Sequence, residues 1–147
     1  MADPTADSDD FGRLRERLLG AVGRLQRRGD EFVEQDGRNA VLGVIRFRLL
    51  QLIDQREAVG AALEMLERHP ARIPSDLRAR AYTSPIASNA FVRYDMLTAL
   101  EQETDLQRMR LRLATAGEVE NLDEGSVEVP YLDEALALAA DAAAALR

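Results

Sequence analysis

The chain has 147 residues, a net charge of −7, 46% hydrophobic side chains and no cysteine. Its length suits one packed domain, and the missing thiols exclude disulfide scaffolds, zinc–thiolate sites and cysteine catalysis. All 19 basic residues are arginine, a composition that favours bidentate pairing with carboxylates and that GC-rich coding or a high-salt proteome also produces.

The charge is unevenly placed. Residues 1–10 carry −4 and residues 118–147 carry −7, leaving +4 on 11–117. Arg46, Arg48, Asp54 and Arg56 interrupt the longest apolar run, which falls short of the ~18–20 residues of a membrane span. The acidic first ten residues lack the basic and apolar order of a secretory signal. No membrane association is expected, and the expected location is intracellular, or inside a macromolecular particle.

Residues 1–9 have no large apolar side chain after Met1 and are expected to be disordered, with 10–147 forming a single domain. A first helix follows from about 10 to 35, capped by Asp9 or Asp10. Phe11, Leu14, Leu18, Val22, Leu25, Phe32 and Val33 line one face of it. Asp36-Gly37-Arg38-Asn39 reads as a turn short enough to make the next helix antiparallel.

That second helix, 39–68, is apolar around most of its circumference and is expected to be wrapped by the others. Pro70 ends it. Ser75-Asp76 caps a short helix near 76–82, and Ser84-Pro85 opens a long one, 85–116, closed by Gly117. On this long helix Ile86, Ala90, Leu97, Leu100 and Leu111 mark one side. Phe91 and Met109 mark a second, with Leu106 and Leu113 nearby. Over 118–129 the alternation of valines and acids fits either a small hairpin or an acidic loop. The last helix, 131–146, sets leucines among alanines and must gain stability by close packing. The fold class is all-α: a helical bundle of about four main helices.

Chemistry is sparse. His69 is the single histidine and reads as a helix-end residue, and no metal-ligand spacing surrounds it. The glycines fit no phosphate-binding fingerprint, and no nucleophile–base grouping stands out. Catalytic, cofactor-binding and metal residues are accordingly expected to be none.

Partner contacts are the better prospect. Arg48 and Arg56 fall in the apolar arc of the second helix, where a buried arginine needs a carboxylate from another helix or from a partner. Phe91, Leu106, Met109 and Leu113 supply the second apolar side of the long helix. Together these six residues are the interface candidates. The expected function is a non-catalytic assembly or adaptor subunit working through helix–helix contacts, with itself or another protein subunit, in a homo-oligomer or larger complex; particle and virion components have this look. The alternative is a small nucleic-acid-associated regulator using Arg24, Arg27, Arg28, Arg108, Arg110 and Arg112. The acidic net charge and the shortage of aromatics argue against it.

Overall fold

The structure, a computed structural model, describes residues 4–31, 40–117 and 127–147. The protein is all-α. Its helices are α1 (Pro4–Glu31), α2 (Ala40–Arg68), α3 (Ser75–Thr83), α4 (Pro85–Ser88), α5 (Ala90–Thr115) and α6 (Leu132–Leu146), with a 3-10 turn at Pro70–Arg72. The expected turn at 36–39 and most of the 118–129 segment lie outside the described residues; 127–129 carry no regular secondary structure.

α1 and α2 run antiparallel, with Asp10 meeting Arg68 and His69 at one end and Arg28 meeting Asp54 further along. Phe11, Leu14, Leu18, Ala21 and Val22 recur every three or four residues and form one face of α1, all 7% exposed or less. Opposite them α2 presents Ala58, Ala61, Ala62, Met65 and Leu66. The three alanines leave little side chain between the backbones, so the two helices approach closely and the leucines of α1 fill the gaps.

α6 completes this core with Ala139, Ala142 and Ala143. Its last turn is held by Arg15, whose Nε donates to the Leu146 carbonyl at 2.6 Å and satisfies an otherwise orphaned helix-end acceptor. α5 lies antiparallel on another side of α2, where Val59, Leu63, Ile86, Met96 and Ala135 make a second, smaller cluster.

Several boundaries differ from expectation. α1 begins at Pro4, ahead of Asp9 or Asp10, so residues 4–9 are helical rather than disordered. α3 starts after Pro74, with no side-chain cap from Ser75 or Asp76. The expected helix 85–116 is broken at Asn89, which is extended (φ −127°, ψ 111°) and accepts from the amides of Phe91 at 3.0 Å and Val92 at 3.3 Å. An asparagine oxygen able to satisfy two orphan N–H groups favours restarting the helix over continuing through. Gly117 closes α5 with φ +77°, as expected of a left-handed end residue.

The expected wrapping of α2 holds for its C-terminal half only. Towards its N-terminus, Val44, Leu50 and Ile53 are 40%, 50% and 39% exposed. The seam with α1 explains this. Arg24 and Arg28 already sit opposite Asp54, so the described part of α1 ends near that level and the apolar surface of α2 continues beyond it.

His69 also departs from a simple helix-end role. Its buried ring meets Asp10 through Nε2 at 2.6 Å and stands edge-on to Phe11 at 5.6 Å, while Arg72 stacks over Phe11 at 4.1 Å. The histidine bond, together with Arg68, holds the Asp10 carboxyl below its ordinary value of 3.8. A carboxylate with a depressed folded pKa stabilises the fold above its unfolded pKa, and that contribution is lost as pH falls through the folded value. Asp10→Asn should therefore lower the urea midpoint at neutral pH, with the gap to wild type closing below pH 3.8. Leu18→Ala, in the centre of the α1–α2 seam, should cost about 2–5 kcal/mol in the same measurement.

Candidate interaction surface on the outer face of α5

α5 has two unlike sides. The side against α2 buries Met96 and Leu100, then changes character: Glu103, Thr104, Gln107 and Arg110 are all buried as well. Glu103 is fully buried and well bonded. One carboxylate oxygen accepts from the Gln107 amide at 2.8 Å and lies 3.8 Å from Arg48, and the other accepts from the Val127 backbone N–H at 2.5 Å. Arg110 in turn donates to Gln107 at 3.3 Å. A buried carboxylate persists only when its lone pairs are met in this way.

Arg48 and Arg56, which by sequence need a carboxylate from another helix or from a partner, are partly exposed and paired within the chain. Arg48 reaches Glu103 at 3.8 Å, and Arg56 reaches Glu101 at 3.4 Å. Their side chains are 38% and 47% exposed.

The other four interface candidates share the opposite side. Phe91 is 85% exposed, Met109 44% and Leu113 37%, with Leu106 half-buried between them. Tyr94, not singled out by the sequence pattern, is 68% exposed one turn after Phe91. A phenylalanine that leaves most of its ring in water forgoes much of the ~1.5–3 kcal/mol its burial would contribute. Two aromatics exposed one turn apart form an apolar knob, the kind of surface that marks a protein contact.

The six arginines of the nucleic-acid alternative are not gathered into one surface. Arg24 and Arg28 converge on the two oxygens of buried Asp54, at 2.9 Å and 2.5 Å. Arg110 is buried, and Arg108 pairs with Asp105 at 3.1 Å. Arg27 and Arg112 are exposed. The first three project from α1 and the last three from α5, which pack on different sides of α2.

An open groove of about 410 Å³ runs between α3 and α6, with Leu77, Ala81 and Leu138 lining it beside Arg80 and Asp141. Arg80 bonds Asp141 at 3.1 Å, and His69 is engaged elsewhere, by Asp10. Among the described residues no three metal-ligating side chains gather, and no helix is long and apolar enough to cross a membrane.

No family model, curated protein or solved structure matches this chain.

The two carboxylates that sequence reasoning missed, Asp54 and Glu103, are those that organise the buried polar groups. Glu103 carries a readable signal, since it falls in register with Met96 and Leu100 on the face turned to α2. Its weight can be measured against Arg48. Arg48→Ala should cost no more than about 1 kcal/mol, because a partly exposed pair is screened by water. Glu103→Ala should cost more, about 3 kcal/mol, by leaving the Gln107 amide and the Val127 N–H without their acceptor. Comparison of the two urea denaturation curves checks the contrast.

Proposed function

We propose that this protein is a non-catalytic assembly or adaptor subunit whose working surface is the outer face of α5, acting in a homo-oligomer or a larger complex. The observation that carries this reading is the exposure of Phe91 and Tyr94 on a helix that already buries another side against α2. Aromatic side chains presented on a rigid helix are the usual anchors of protein contacts, because they bring large area at small loss of conformational entropy. Met109 and Leu113 extend the apolar surface along the same helix. The arginines support the reading in a second way. Arg17, Arg24, Arg28, Arg48 and Arg56 pair with acids of a neighbouring helix, a structural use of charge.

Absolute mass in solution, by light scattering behind size exclusion, tests this. An integer multiple of 16.3 kDa, or a stable stoichiometric complex with a second protein, is the expected result. Phe91→Ala should weaken that association by about 2 kcal/mol, the loss typical of an interface anchor, with the helical circular dichroism unchanged. A stable monomer at micromolar concentration with no partner recovered from its native source overturns the reading.

A further inference from the structure

The outer face of α5 has a pattern that goes beyond exposure. Phe91, Asp95, Thr98, Gln102, Leu106, Met109 and Leu113 follow one another at steps of four, three, four, four, three and four residues, and none of them is buried. Such steps keep all seven on a single stripe of a straight α-helix, because their mean spacing stays close to its ~3.6-residue turn. The series reads the same from either end. Its midpoint is Gln102.

A stripe with that symmetry matches itself when a second copy is laid against it in the reverse direction. About a two-fold axis at Gln102, Phe91 stands opposite Leu113, Asp95 opposite Met109, and Thr98 opposite Leu106. Each pair joins unlike members, so the aromatic end of one copy meets the aliphatic end of the other. The charges follow the same order. Among the side chains that are not buried, the half before the axis, 90–101, carries Asp95, Glu101 and Arg93, a net −1, and the half after it, 103–114, carries Asp105, Arg108 and Arg112, a net +1. Antiparallel pairing sets the acidic half of each helix beside the basic half of its partner, and parallel pairing would set like against like. Exposed Arg112 then lies within reach of the partner's aromatic end, where Tyr94 offers a ring face to a guanidinium.

We infer that the partner of the α5 face is a second copy of this chain, docked antiparallel about a two-fold axis through Gln102. This inference rests on the assembly reading and names the occupant that the reading leaves open. An isologous contact of this kind closes on itself, so the product is a dimer and not a filament.

The native chain has no cysteine, which makes a direct test available. Gln102→Cys places one thiol on the axis, where the two copies' side chains face each other. Under mild oxidation it should convert to a covalent dimer with loss of the free thiol. Glu67→Cys, exposed on α2 and off the stripe, should keep its thiol under the same conditions. An equimolar mixture of Asp95→Cys and Met109→Cys chains should cross-link with each other, while each alone should not. This pair serves as a second register check should Gln102→Cys fold poorly. Light scattering on the unmodified protein separates the outcomes. Dimer mass with cross-linking at both registers supports the inference. A discrete oligomer that cross-links at neither register overturns the two-fold pairing and leaves the assembly reading standing, as does a complex with a different protein across the same face. A monomer without a partner overturns both.

Discussion

The close approach of α1 and α2 is the constraint on which the rest of the fold depends. It is made by small residues: Ala58, Ala61 and Ala62 on α2 against Leu14, Leu18 and Ala21 on α1. Alanine contributes little area by itself, so the stabilisation comes from what it permits, namely leucine and methionine side chains of the two helices packed into one buried cluster. α6 repeats the device with Ala139, Ala142 and Ala143, and reaches the same core without a large side chain of its own at those positions. The register of the seam is fixed by charge. Asp10, Glu57 with Glu64, and Asp54 meet arginines of the opposite helix at three levels, and shifting α1 by one turn would break all three together.

From this seam follows a division of α2 into two halves with unlike interiors. Its C-terminal half touches α1, α6 and the start of α5, and almost everything it buries is apolar. Beyond Asp54 the described contacts are mainly with α5, and the buried set there includes Gln55, Glu103, Thr104, Gln107 and Arg110. A polar interior is directional. The charge pairs Arg48–Glu103 and Arg56–Glu101 favour one relative placement of α2 and α5, where a greasy contact would tolerate sliding. The arrangement brings less hydrophobic stabilisation, and Val44, Leu50 and Ile53 remain partly in water.

How far the sequence could be read follows from the same physics. The antiparallel pairing of the first two helices, the end of α2 before Pro70 and the close of α5 at Gly117 are local signals, carried by hydrophobic spacing and by residues with restricted or unusual backbone freedom. Asn89 shows where local reading stops: asparagine is both an acceptable helix residue and an excellent cap, and choosing between them requires knowing how Ile86 of α4 and Met96 of α5 come to share one core. Arg48 and Arg56 show a different limit. Their Cα positions lie in an apolar arc, and a side chain of that length carries its charge several ångströms away, so the pattern leaves a carboxylate of another helix and one of a partner equally open, and the carboxylates that meet them are on α5. The four apolar residues of α5's outer face were legible as a second side; that the side stays uncovered depends on where every other helix ends.

The two faces of α5 bear on each other. A helix whose inward side is apolar throughout can roll in its groove, and one with an apolar outer stripe gains by rolling that stripe inwards. In the belt of Glu103, Gln107 and Arg110 it is Glu103 that opposes such a rotation, because turning the helix would pull its buried carboxylate away from the Val127 N–H and from Arg48. Losing a met acceptor inside the protein costs more than burying a further leucine gains. The polar belt thus does what packing alone would not, keeping Phe91, Tyr94, Met109 and Leu113 turned outwards on a helix that cannot turn to hide them. A surface held open by internal hydrogen bonds is preorganised, and a partner meeting it need not pay again for its ordering.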